Sequence, residues 1–200
     1  MKEISRQLYD EMRPLFDRIY YTVGGAVDEY FDILKQIPRL ALSRTVRGAC
    51  NQIFDLMRLR AHEAFADLAG SGYRVVDQYD SLLIRMPTKR FIRFNKLNKE
   101  SRVHRPNTHR SEELYYQRGL FDIGALEDRV LTAGYGLDLS RSALAGVLLQ
   151  CQLGDLIEWS ISIPRGDFRV GIERSGNNPS DEPSFIVEPR NGAEKNRKAE

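Results

Sequence analysis

Apolar side chains along the first part of the chain recur at helical spacing. Leu8, Met12, Leu15/Phe16, Ile19, Val23, Val27, Tyr30/Phe31 and Leu34 fall three or four residues apart, the period that gathers them on one face of a helix. Gly24-Gly25 interrupts this run and Pro38 closes it, which predicts a kinked helix or two helices over residues 4–36. A second stripe comprises Val46, Ala49/Cys50, Ile53/Phe54, Met57, Ala61, Ala64/Phe65 and Leu68, with Arg44, Arg47, Asn51, Asp55, Arg58 and Glu63 on the opposite side. Ser43 is placed to cap the start of that helix, and Gly70 and Gly72 to end it.

After Tyr73 the period drops to two. Residues 73–76 and 82–86 are short runs of strand type, and the second leads through Pro87-Thr88-Lys89 into 91–94, a predicted hairpin. Residues 130–139 predict a further strand that turns through Ser140-Arg141-Ser142. Val147, Leu149, Cys151 and Leu153 alternate with Leu148, Gln150 and Gln152; after Gly154-Asp155, Ile157, Trp159, Ile161 and Ile163 alternate with Glu158, Ser160 and Ser162. Alternation on both sides of a glycine-containing turn is a strong hairpin signal. The pattern predicts an α+β fold: amphipathic N-terminal helices packed on one face of an antiparallel sheet of about five strands, with Trp159 facing the helices. The expected domain spans 1–165, helical over 1–72 and mostly β over 73–165. A polar tail, 166–200, holds one apolar island at Phe185-Ile186-Val187. Residues 96–128 read as irregular, with a helical turn near 111–117.

Composition narrows the class. The 200 residues are 42% hydrophobic and 29% charged, with a net charge of +2, so no global field draws the chain to nucleic acid or membrane. No apolar run approaches the roughly 20 residues of a membrane span. Cys50 and Cys151 sit in core-type positions and read as small hydrophobes, which points to a cytoplasmic protein rather than a disulfide scaffold. The acids Glu3, Asp10, Glu11 and Asp17 among the first residues are unlike a signal peptide.

Catalytic signatures are sparse. His62-Glu63 lacks the second histidine of a helical zinc motif, since position 66 is Ala, and His62 is expected on an exposed flank. Neither a zinc-spaced cysteine pair nor a glycine-rich phosphate loop is found, so no metal and no cofactor is expected. Asp77 and Asp80 precede a strand and could serve a carboxylate-dependent nuclease or other hydrolase. The acidic residue that such sites place two before a lysine is missing, however, because Leu97 precedes Lys99.

Charge is concentrated in one segment. Residues 85–110 carry nine basic side chains against Glu100, nine minus one or +8. Lys89, Arg90, Arg93, Lys96, Lys99, Arg102 and Arg105 are the candidate contacts, with Phe91, Phe94 and His104 interleaved. Basic residues along a groove with aromatic faces suit single-stranded nucleic acid. Arginine-rich loops suit an acidic protein partner equally well, and charge on a sheet edge also guards against aggregation. Phe91 and Phe94 have opposite parity, so one at most could stack on a base.

The runs Arg93-Phe94-Asn95-Lys96-Leu97-Asn98, Gly134-Tyr135-Gly136-Leu137-Asp138, Cys151-Gln152-Leu153-Gly154 and Glu158-Trp159-Ser160-Ile161 resemble a pattern in uncharacterised bacterial proteins of prophages and mobile islands, encoded beside metallopeptidases of the ImmA/IrrE type. The resemblance covers 73–163 and carries no catalytic residue with it. It implies an antitoxin-like or phage-defence component that acts through a protein partner. The expectation is therefore a non-enzymatic binding or regulatory protein. A nucleic-acid-binding module comes second and a hydrolase last.

Overall fold

The computed structural model describes residues 6–78, 81–103, 112, 116, 130–166 and 168. Four helices come first: α1 (Arg6–Met12), α2 (Phe16–Gln36), α3 (Pro38–Ser43) and α4 (Val46–Phe65). Six strands follow: β1 (Arg74–Gln78), β2 (Ser81–Arg85), β3 (Phe91–Lys96), β4 (Val130–Leu137), β5 (Leu144–Leu153) and β6 (Leu156–Ile163). They form one sheet in sequence order, so the α+β class and the helix-on-sheet packing are as the pattern predicts. No helix among the described residues is long and apolar enough to cross a membrane.

Both predicted stripes face the core except at Val46, which is 56% exposed. Met12, Ile19, Val23, Val27 and Tyr30 of the first two helices share a buried cluster with Ile53, Met57, Ala61 and Phe65 of α4. The sheet contributes Ile84, Ile92, Phe94, Leu131, Tyr135, Leu149 and Trp159. Trp159 is 5% exposed, although β6 is an edge strand, because α2 lies across β4, β5 and β6. His62 is exposed, as expected.

The helix breaks differ from expectation. Gly24-Gly25 lies inside α2 without interrupting it, and the break falls instead at the 3-10 turn Arg13–Leu15, which contains Pro14. The glycines serve a close approach. A Cβ on Gly25 would stand 2.6 Å from Nη1 of Arg60, whose guanidinium reaches across from α4 to Glu29 at 2.9 Å and lies 4.6 Å from the Tyr21 ring centre. Tyr21, Gly25 and Glu29 are spaced by four on one face of α2, and Arg60 sits on the gap that the middle residue leaves. The cap of α4 is Thr45, not Ser43: Thr45 Oγ1 accepts from the Gly48 amide at 3.0 Å. The Ser43 hydroxyl closes α3 by donating to the Arg39 carbonyl at 3.2 Å.

Two features of the sheet also depart from the simple prediction. β3 and β4 pair in parallel, while every other pair is antiparallel. The 97–129 connection is long enough to return the chain to the same end. Moreover, the face away from the helices is itself partly closed. Gln150 and Gln152, expected outward, are buried, and a second apolar cluster of Leu83, Phe91 and Val130 forms there. Gln152 joins this side together: its Oε1 accepts from the Val103 amide at 2.9 Å and its Nε2 donates to the Gly154 carbonyl at 2.8 Å. Gly154 has φ +59°, and a Cβ there would stand 2.9 Å from the ring of Tyr116. A bulge after Cys151 turns Leu153 outward, contrary to the simple alternation.

Glu112 and Tyr116 are helical, within the turn expected over 111–117. The packed unit reaches beyond the expected limit at 165. Phe168 stacks edge-on with Tyr21 at 5.3 Å and beneath Arg18, and Arg165 reaches Asp28 at 3.4 Å. The apolar island 185–187 lies outside the described residues.

Candidate functional site

The basic segment does not converge on one surface. Lys89 stands exposed in the β2–β3 turn with φ +59°. Arg90 beside it is paired with Glu11 of α1, whose other oxygen accepts from the Thr88 hydroxyl at 2.5 Å. Arg93 is mid-strand on the face away from the helices, with Nε 3.1 Å from the Asn95 side-chain amide turned oxygen-first toward it. Desolvation pulls its guanidinium below the ordinary arginine range. Lys96 has the opposite parity, and its Nζ donates to the Cys50 thiol at 3.4 Å. At the rise of a strand, roughly 20 Å separates the Arg90 end of β3 from the Lys96 end. Arg105 lies outside the described residues. Phe91 and Phe94 are both buried, at 4% and 1%, so neither is presented to a base.

What the fold does assemble is a basic end. The turn after β3 is closed by Asn98, whose Oδ1 accepts from the amides of Glu100 and Arg102, both at 2.9 Å; this holds Lys99 and Arg102 exposed. The β4–β5 turn is organised by Asp138, which accepts from Ser140 Oγ at 2.5 Å, the Ser142 amide at 2.6 Å and the Ala143 amide at 3.1 Å. These bonds, the Ser140 hydroxyl first, hold its carboxyl down at about 2. They also fix Arg141 at φ +55°, an uncommon conformation for a residue with a side chain.

Two adjoining cavities open at this end. The outer one, about 340 Å³, lies between the two turns and is lined by Lys96, Lys99, Glu100, Asp138, Leu139 and Arg141. The inner one, about 80 Å³, lies between α2, the start of α4 and the ends of β3 and β4; Lys96, Leu137 and Arg141 line both. Four cations thus face two carboxylates, once Arg44 of the inner cavity is added. Asp138 is already committed to its own turn. Among the described residues no carboxylate lies within ion-pair distance of Arg44, Lys96, Lys99 or Arg141.

Inside, Tyr135 is 1% exposed, and its phenol is pushed up by burial and by the nearby Cys50 thiol. Tyr30 is 2% exposed, and its hydroxyl has no hydrogen-bond partner among the described residues. Cys50 is half-buried and lines this cavity rather than disappearing into the core. Sequence reasoning anticipated Lys96 and Lys99 but not Tyr30, Arg44, Cys50, Tyr135 or Arg141, which come from different elements. One signal was available: Arg44 and Arg47 bracket a capping Thr45, and the first turn of α4 has no acidic residue.

The carboxylates considered for hydrolysis are not gathered. Asp77 is bound by Arg58 of α4 at 2.5 Å, and Asp80 lies outside the described residues. The chain matches no protein-family model, no curated protein and no solved structure.

Proposed function

We propose that the protein is a non-enzymatic binding protein that takes an acidic protein partner at the basic end of the sheet, in the regulatory or defence-associated setting that the sequence resemblance implies. The observation that carries the reading is the set of cations Arg44, Lys96, Lys99 and Arg141 around two adjoining cavities, none with an ion-pair partner among the described residues. Leu139, 95% exposed, and Val46, 56% exposed, stand at the same cavities. Apolar anchors ringed by one sign of charge suit an acidic chain with hydrophobic side chains, where complementarity sets partner choice and on-rate. A nucleic-acid partner is disfavoured by the dispersal of the basic segment and the burial of both phenylalanines.

The test is affinity purification of the full chain from its own cells, comparing wild type with a Lys99→Glu/Arg102→Glu/Arg141→Glu variant and with Lys89→Glu at the opposite end of β3. One acidic protein should be retained by wild type and by Lys89→Glu, and lost from the triple variant. Retention by the triple variant would overturn the assignment of the surface. Recovery of a species absorbing at 260 nm in place of a protein would overturn the choice of partner.

A further inference from the structure

The inner cavity carries chemistry that a protein interface does not require. Its charged lining groups are Arg44, Lys96 and Arg141, and no carboxylate is among its lining residues. The 20-residue helix α4 also begins at its wall, through Arg44, Thr45 and Val46. Thr45 Oγ1 satisfies only the Gly48 amide. The Val46 and Arg47 amides have no partner among the described residues, so the positive end of the helix dipole remains open. The first turn has no acidic residue to neutralise it. Independently, Tyr30 lines this cavity, and its hydroxyl is buried with no hydrogen-bond partner among the described residues, a state that costs stability unless a ligand completes it. Donors and positive charge from four elements therefore surround a space of about 80 Å³.

We propose that this inner cavity binds the oxyanion head group of a small molecule, with the rest of the molecule in the adjoining 340 Å³ cavity. A carboxylate and a phosphoryl group share the required features: multiple acceptor oxygens, negative charge and a compact head. The proposal shares Arg44, Lys96 and Arg141 with the surface assigned to the protein partner, but it is tested without that partner, so either can fail alone.

The experiment is an NMR titration of the full chain with inorganic phosphate and, separately, with acetate, using sodium chloride at matched ionic strength as the control. One of the two anions should produce saturable shifts at the Val46 and Arg47 amides. The preferred anion identifies the head group. Tyr30→Phe should weaken that binding about tenfold without lowering the unfolding midpoint, because the removed hydroxyl had no partner to lose. Lys96→Met should abolish it, whereas Lys89→Glu should leave it unchanged. Absence of saturable shifts with either anion would overturn the proposal. So would shifts that Tyr30→Phe and Lys96→Met leave intact, or that chloride reproduces.

Discussion

Gly25→Ala is the sharpest probe of how the two long helices hold each other. In an ordinary exposed helix this change stabilises by about 1 kcal/mol, because alanine loses less backbone freedom on folding. Here the new Cβ would stand 2.6 Å from Nη1 of Arg60. The arginine can swing away, so the cost is the loss of its bonds rather than a fixed clash. Those bonds run from Nε and Nη2 to one Glu29 oxygen, both at 2.9 Å, and from Nη1 to the Tyr21 carbonyl at 3.4 Å. The side chains are 19% and 37% exposed, so the charge-assisted pair is worth about 1–2 kcal/mol after solvent screening. The contact with the Tyr21 ring adds about 0.5–1 kcal/mol. The losses exceed the gain, and Gly25→Ala should destabilise by about 1 kcal/mol. In an Arg60→Ala background the same change should stabilise by about 1 kcal/mol, a coupling of about 2 kcal/mol between the sites. Urea unfolding followed by far-UV circular dichroism measures both, provided the slope with denaturant is unchanged. If Gly25→Ala stabilises equally in both backgrounds, the guanidinium does not sit on the glycine and the packing argument fails.

Trp159→Ala should cost about 3–5 kcal/mol as a large core truncation, read from the shift of the urea midpoint; a loss below about 1 kcal/mol would place the indole outside the core. The Asp138 turn should respond to acid. Its folded value of about 2 lies below the ordinary 3.8, so its contribution is fully present above about pH 4 and is lost as pH falls through about 2. Protection of the Ser142 and Ala143 amides, measured against their intrinsic exchange rates, should fall over that window, and Asp138→Asn should remove the acid-dependent step.

The helical stripes and the hairpin alternation were legible because burial imposes a period on the chain itself. Val23 or Trp159 can be assigned a face from neighbours a few residues away. The parallel pairing of β3 and β4 was not legible, because neither Phe91–Lys96 nor Val130–Leu137 encodes the direction of a partner more than thirty residues distant. Gln150 and Gln152 read as solvent-facing because they are polar. In the fold Gln152 Oε1 accepts from the distant Val103 amide at 2.9 Å and from Gln150 Nε2 at 3.0 Å. The basic segment misled for a simpler reason. Residues adjacent in sequence along an extended strand point to alternate faces and span its whole length, so Arg93 and Lys96 part company while Arg90 finds Glu11. The basic end, conversely, draws Tyr30, Arg44, Cys50, Lys96 and Arg141 from positions scattered over more than a hundred residues. No local pattern announces such a set.

The single parallel pair divides the sheet in a way that bears on how the molecule comes together. β1–β2–β3 and β4–β5–β6 are each local meanders, with α4 lying mainly on the first and α2 mainly on the second. Joining them across the 33 residues from 97 to 129 carries a loop-closure entropy of roughly 3 kcal/mol, while each hairpin closes cheaply. The two halves are thus sutured at the β3–β4 seam and bolted by the α2–α4 contact. The cavity holding Tyr30, Cys50, Lys96 and Tyr135 straddles that suture, with walls from both helices and from both strands of the seam. Anything gripped there would touch both halves at once, so its binding free energy would count directly against their parting.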